Sequence, residues 1–122
     1  MAELHLMSKS DGDIKTHVVF IHGLGGHYEQ TWLSSTPDKG FWPNWLSEEI
    51  DNIAIWSVGY LNPISRWGSP HAMHFTDRAK DILHRLNQEP LFRDGEIIFV
   101  GHSMGGLMIK QMFHYADRNS EV

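Results

Sequence analysis

A serine between two glycines stands where an apolar run gives way to a helical pattern. Gly101-His102-Ser103-Met104-Gly105 fits G-x-S-x-G, and the apolar run at residues 96–100 precedes it. A sharp turn from strand to helix strains the serine backbone and lifts its hydroxyl out of the sheet. A Cβ two positions before or after the serine would collide with backbone, which accounts for Gly101 and Gly105. The pattern predicts Ser103 as a nucleophile for acyl transfer.

A second glycine-rich turn, at residues 20–26, follows an earlier apolar run. The carboxyl ends of parallel strands meet at one edge of a sheet, so we expect this turn beside Ser103. The N-terminus of the helix after Ser103 favours developing negative charge. The backbone N–H groups of Leu24 and Met104 are therefore predicted to form an oxyanion hole.

The elements that must position these turns follow from hydrophobic patterning. Apolar runs rich in Val, Ile and Phe, at residues 17–23, 53–60 and 96–103, predict strands buried on both faces. A weaker alternating run at residues 3–7 predicts an edge strand. Helical patterns lie at residues 42–50, at 75–89 with Thr76 as N-cap and Pro90 as the stop, and after Ser103. This alternation predicts an α/β fold: an open, mostly parallel sheet with flanking helices.

Most of the tryptophans are predicted to be core residues, because Trp42 and Trp45 share one face of the first helical pattern. Trp67 stands in a loop rich in Gly, Pro and Ser and is the better candidate for lining a pocket.

Composition limits the classes of partner and cofactor. The 122 residues fit one domain; the net charge is −5 with scattered Lys and Arg, which argues against nucleic acid. There is no cysteine, no signal-peptide core and no stretch long enough to span a membrane, so we predict a cytoplasmic protein without a transmembrane segment.

No cofactor and no metal is predicted. A dinucleotide-binding glycine pattern would need glycine at position 28, where the chain has Tyr28, and no Walker-type motif occurs. His71 and His74 have metal-pair spacing, but no carboxylate-rich motif completes a site, so they are predicted to be surface loop residues.

The segments "VVFIHGLGG", "IWSVGY" and "IIFVGHSMGGLMIKQ" resemble the N-terminal half of an α/β-hydrolase. Within that fold they are similar to lipase-like serine esterases, a group that includes serine-active-site-containing proteins and GPI inositol-deacylases. The resemblance implies that Ser103 is the nucleophile, that Leu24 and Met104 supply the oxyanion N–H groups, and that the substrates are small-molecule or lipid-like esters. Which ester is not implied.

The resemblance also implies an acid and a histidine after the nucleophile. No such pair follows Ser103 at positions from which it could act. His114 is the one histidine after Ser103; in a helix it would lie ~16 Å away, too far for a general base. Asp117 and Glu121 cannot act as the acid that orients the histidine, because no imidazole is placed beside them. We therefore expect residues 1–122 to be a single partial domain, truncated after the nucleophile helix, with a missing C-terminal half or a second protein chain supplying the rest.

The histidines that precede Ser103 in the chain are weak candidates for the general base. The side chain of His102 should point away from the serine hydroxyl, and His22 should make a structural hydrogen bond. His71 and His74 lie in a loop from which the site could be reached. Two functions stay open: a serine esterase whose acid and histidine lie outside this chain, and an inactive remnant or interaction module that pairs through its exposed sheet edge.

Overall fold

The computed structural model describes residues 2–23, 26–35, 40–60 and 71–119, and for residues 71–75 and 119 the backbone alone. These residues contain four strands: β1 (Glu3–Lys9), β2 (Thr16–Ile21), β3 (Ile53–Gly59) and β4 (Glu96–Gly101). The helices are α1 (Asn44–Glu49), α2 (His71–Asn87) and α3 (Met104–Asn119), with 3-10 turns at Gln30–Trp32 and Pro90–Arg93. The predicted alternation of strands and helices is confirmed.

The four strands form one open sheet in the order β1-β3-β2-β4. β2 runs parallel to both of its neighbours, and Ile21 lies opposite Val58 on one side and Gly101 on the other. β1 is antiparallel to β3 and lies at one edge of the sheet, as its alternating pattern predicts. The carboxyl ends of β2, β3 and β4 therefore meet at the same edge, and the predicted α/β class is confirmed.

Alternate residues of β2 point into two separate cores, because strand side chains alternate between faces. Val19 and Ile21 pack under α2 and α3, whereas Val18 and Phe20 face the side of α1. The larger cluster, on the α2 and α3 side, includes Trp56, Ala79, Ile82, Leu86, Met108 and Met112. Met108 and Met112 of α3 thus pack in the same cluster as Ile21 at the end of β2, which places α3 beside that end of the strand.

α2 begins five residues before the predicted cap. It starts at His71 rather than after Thr76, because the residues from 71 to 75 contain no helix breaker and continue the helix by more than a turn. The prediction that His71 and His74 are loop residues is therefore wrong, because both lie in the first turn of α2. Residues 61–70, including Trp67, lie outside the described part of the chain.

Two predictions of burial are wrong. Trp42 and Trp45 are 41% and 57% exposed. Trp42 lies before the first residue of α1, and α1 has only six residues, none of which is buried. Ile98 of β4 is 49% exposed, because its side chain lies on the α1 face of the sheet and α1 packs mainly on β1 and β3, away from β4. None of the helices in the described part of the chain is long and apolar enough to cross a membrane.

Candidate active site

Ser103 occupies the turn between β4 and α3 with a left-handed backbone. Its φ is +56°, and its side chain is exposed. An L-residue in this region suffers a close approach between Cβ and the backbone that costs about 1–2 kcal/mol. Such a conformation persists only where the surrounding structure enforces it. The turn thus presents a hydroxyl at the carboxyl edge of the sheet.

The glycines on both sides of Ser103 are required by close backbone packing. A Cβ on Gly101 would lie 2.6 Å from the amide nitrogen of Gly106. A Cβ on Gly105 would collide with the carbonyl oxygen of Ile21 at the end of β2 and lie 2.9 Å from that of His22. Helix α3 can start directly beside β2 only because these positions carry no side chain.

The turn after β2 packs directly on the turn after β4. A Cβ on Gly23 would lie 2.7 Å from the carbonyl oxygen of His102 and 3.1 Å from both the Cβ of Ser103 and the amide nitrogen of Met104. The backbone N–H of His102 also donates to the carbonyl of Ile21, at 3.1 Å. The structure therefore brings together the two turns that the sequence places after separate strands.

The first N–H groups of α3 differ in their partners. Gly105 donates to the carbonyl of His102 at 2.9 Å, and Gly106 to that of Ser103 at 3.0 Å. The N–H of Met104 has no acceptor among the residues that the structure describes. It stands at the N-terminus of a 16-residue helix, where the aligned peptide dipoles favour negative charge. Leu24, the other predicted donor, lies outside the described residues.

His22 is locked into the turn after β2 and is 1% exposed. Its Nδ1 lies 2.9 Å from the carbonyl oxygen of Gly23; because a carbonyl only accepts, Nδ1 carries the proton. Loss of water around the charged form lowers the pKa of His22, and the hydrogen bond to Gly23 opposes this only in part. His22 is therefore a neutral structural donor at physiological pH.

Tyr60, at the end of β3, holds His22 from the other side. The two rings stack at 4.2 Å between centroids with 3° between their planes, and the Tyr60 hydroxyl donates to the His22 carbonyl at 2.5 Å. The sequence alone does not single out Tyr60. Its position as the last residue of the apolar run at 53–60, which ends at the same sheet edge, is the available signal.

The described residues place neither a histidine nor a carboxylate in hydrogen-bond contact with the Ser103 side chain. His102 is exposed, and its ring lies 6.0 Å from that of Trp32. His114 is exposed on α3. The side chains of His71 and His74 lie outside the described part of the chain. Within that part, no group of three or more His, Asp or Glu is arranged to hold a metal ion.

The mostly parallel open sheet with flanking helices agrees with the comparison to known proteins. Residues 18–120 match the alpha/beta hydrolase family, so the chain belongs to that family. Its relatives include Protein SERAC1 of Bos taurus and of Homo sapiens, each 28% identical, and Protein SERAC1 of Danio rerio, 29% identical. Each alignment covers 98% of this chain but 21% of the relative, so the chain spans about a fifth of their length.

Proposed function

We propose that residues 1–122 are a single partial α/β hydrolase domain that carries the nucleophile of a serine esterase. In this proposal Ser103 is the nucleophile, and the backbone N–H groups of Met104 and Leu24 form the oxyanion hole. The acid and the histidine lie outside this chain. The substrate is a carboxylic ester with an apolar acyl group.

The observation that carries the proposal is the left-handed backbone conformation of Ser103. A φ of +56° in a serine costs stability that a glycine would not, and here the strained residue is the exposed one between strand and helix. The contact of Gly23 with the Ser103 turn adds a second backbone segment beside the hydroxyl. A merely structural turn would need neither the strain nor the exposed hydroxyl.

The proposed reaction proceeds by two acyl transfers. The Ser103 hydroxyl gives its proton to the histidine while its oxygen bonds to the ester carbonyl carbon, and the carbonyl oxygen becomes an anion. The N–H groups of Met104 and Leu24 bind that anion; each such donor typically contributes ~100-fold or more to the rate. The C–O bond to the alcohol then breaks, and the alcohol leaves with the proton. Water attacks the acyl-serine and releases the acid.

Aromatic side chains beside the turn support an apolar acyl group. The ring of Trp32 lies 6.0 Å from that of His102 and 6.3 Å from that of Trp42. Trp42 is 41% exposed, although indole rings gain free energy from burial. An acyl chain lying across Trp42 would bury that surface.

A fluorophosphonate probe tests the proposal, since Ser103 attack forms an oxygen–phosphorus bond and releases fluoride. We expect one adduct per chain in the intact mass, located at Ser103 and lost in Ser103→Ala. Because the histidine is proposed to lie elsewhere, added neutral imidazole should accelerate the reaction by taking the serine proton. Ser34→Ala is the control and should label at the wild-type rate. A folded chain that gains no Ser103 adduct, with or without imidazole, contradicts the proposal.

A second candidate function rests on β4. In the described sheet this strand pairs on one side only, and Ile98 is half exposed on it. An edge of this kind can accept a strand from another chain. In that case the chain is an inactive interaction module, and the predicted result is the absence of any Ser103-dependent labelling.

A further inference from the structure

We propose that a cavity between the turn after β2 and the end of β3 binds the alcohol part of the ester, and that this alcohol carries a further hydroxyl group. The inference rests on the proposed function, because it gives the substrate class of the same site. Its evidence is the position of the cavity, its size and the polar groups on its walls.

The cavity lies at the same sheet edge as Ser103. Its volume is about 280 Å³, and its walls include His22 and His27 of the turn after β2, Gly59 at the end of β3, and Glu3 of β1. One liquid water occupies ~30 Å³, so this space holds a group of several heavy atoms. It is smaller than the sites of drug-sized ligands, which begin at ~300 Å³. The cavity therefore suits one part of a substrate.

The distance from Ser103 to the cavity matches a short alcohol. β2 lies between β4 and β3, so the ends of β4 and β3 are two strand spacings apart, about 10 Å, with the turn after β2 between them. That turn contacts the Ser103 turn at Gly23. In an extended ester, a hydroxyl two carbons beyond the ester oxygen lies ~5 Å from the carbonyl carbon. Such an alcohol spans one strand spacing and reaches the cavity.

Two residues on the cavity walls offer an acceptor and a donor. One oxygen of the Glu3 carboxylate accepts from His5 Nε2 at 3.0 Å, and the other has no partner among the described residues. Nδ1 of His27 accepts from the N–H groups of Glu29 and Gln30, so Nε2 carries the proton of the neutral ring. Within the described part of the chain this N–H has no acceptor. A hydroxyl both donates and accepts, so it can satisfy both groups.

A quaternary ammonium group fits the cavity less well than a hydroxyl. Such a cation binds over open aromatic faces. Tyr28 lines the cavity, but its ring is stacked on His5 at 3.8 Å and packs against His27 at 4.6 Å between centroids. Tyr60, on the same walls, is stacked on His22 at 4.2 Å. The neighbouring imidazoles thus occupy the space that a cation would need.

An anionic or a purely apolar group also fits less well. The Glu3 carboxylate on the cavity wall repels an anion. An apolar group would remove water from this carboxylate and from the His27 N–H without replacing the hydrogen bonds, which costs free energy. A hydroxyl avoids both costs.

The test compares two esters of the same acid, 2-hydroxyethyl hexanoate and propyl hexanoate, which differ by a hydroxyl in place of a methyl group. For each ester we would measure the concentration that halves the rate of Ser103 labelling by the fluorophosphonate in the presence of imidazole. The variants are Glu3→Ala, which removes the acceptor, and His27→Asn. Asparagine keeps an acceptor for the N–H groups that Nδ1 now binds but lacks the Nε2 donor.

Glu49→Ala is the matched control for Glu3→Ala. Glu49 is exposed at the end of α1 and lies near the start of β3, whereas the cavity lies at the end of that strand. In the wild type and in this control we expect the hydroxyethyl ester to act at a concentration at least ~10-fold lower than the propyl ester, as a hydrogen bond to a charged group allows. Glu3→Ala and His27→Asn should each reduce this preference to ~3-fold or less.

The outcomes separate the two proposals. If the wild type labels but the two esters act at equal concentrations, or if the preference survives both substitutions, the cavity does not bind the alcohol and the proposed function stands. If the wild type never labels at Ser103, the proposed function fails. The amide shifts of Gly26 and Gly59, which line the cavity, then decide by NMR whether it is a binding site. Shifts with the hydroxyethyl ester alone would retain the cavity as a site for a hydroxyl group, and no shifts with either ester would defeat it.

Discussion

The turn after β4 and the turn after β2 meet at one sheet edge, but they are held in different ways. The turn after β4 is held by close backbone packing against α3 and the end of β2, which Gly101 and Gly105 allow. The turn after β2 is held by side-chain contacts with Tyr60, 38 positions along the chain from His22. One turn thus depends on the absence of side chains, and the other on contacts between two buried side chains.

This difference gives each turn its own weak point. The turn after β4 should fail when a side chain is added, because there is no space for one. The turn after β2 should fail when a hydrogen bond is removed, because its peptide groups then become free to rotate.

The largest effect is expected from Gly105→Ala. The new Cβ would collide with the Ile21 carbonyl oxygen, which is backbone in the middle of the molecule and cannot move aside. We expect a loss of about 3 kcal/mol or more in the free energy of unfolding, measured by urea denaturation.

Gly106→Ala is the matched control for Gly105→Ala. A Cβ there meets nothing within 4 Å, so alanine should stabilise α3 by about 0.5–1 kcal/mol. Equal effects of the two substitutions would show that α3 does not pack on β2 as described.

A smaller effect is expected from relief of strain at Ser103. Ser103→Gly should be about 1 kcal/mol more stable towards urea than Ser103→Ala, because alanine keeps the Cβ that the left-handed backbone disfavours. Both variants lack the hydroxyl, so the comparison isolates the backbone. An alanine variant as stable as the glycine variant would mean that the turn is not strained.

The smallest effect concerns protonation of His22. Its pKa is lowered by burial, so below pH ~6.5 the unfolded chain binds a proton more readily than the folded chain. The stability that neutral His22 contributes is complete above that pH. It is lost as the pH falls from there towards the pKa that His22 has in the folded chain. At pH 6 the loss is below ~0.9 kcal/mol.

His22→Asn makes that loss measurable. Asparagine retains a side-chain N–H near the Nδ1 position but does not titrate. The difference in unfolding free energy between pH 7.5 and pH 6 should be smaller in the variant than in the wild type. The same pH dependence in both proteins would show that His22 is not buried in its neutral form.

The two turns also differ in what the sequence reveals. The G-x-S-x-G pattern and its flanking periodicities predict the strand, the helix and the required glycines within a few contiguous residues. For the turn after β2 the sequence indicates a loop and its edge of the sheet, because both follow from an apolar run that ends in glycines. It does not reveal that Tyr60 stacks on His22, because that contact depends on the pairing of β2 with β3.

Burial was predicted less well than element order, for a related reason. Trp42 and Trp45 have helical spacing, but α1 is too short to bury both, and helix length depends on tertiary packing as well as on pattern. Ile98 belongs to a run typical of a central strand, yet in the described sheet it lies on an edge strand. Apolar content alone does not tell which neighbours a strand has.

In the proposed function the two turns form one oxyanion site around Ser103. A crystal structure of the chain after reaction with the fluorophosphonate tests this directly. We expect phosphorus bonded to Ser103 Oγ, with one phosphonyl oxygen within ~3 Å of the Met104 nitrogen and of a second backbone N–H from the turn after Gly23. A phosphonyl oxygen that points into solvent, or an adduct on another residue, would contradict it.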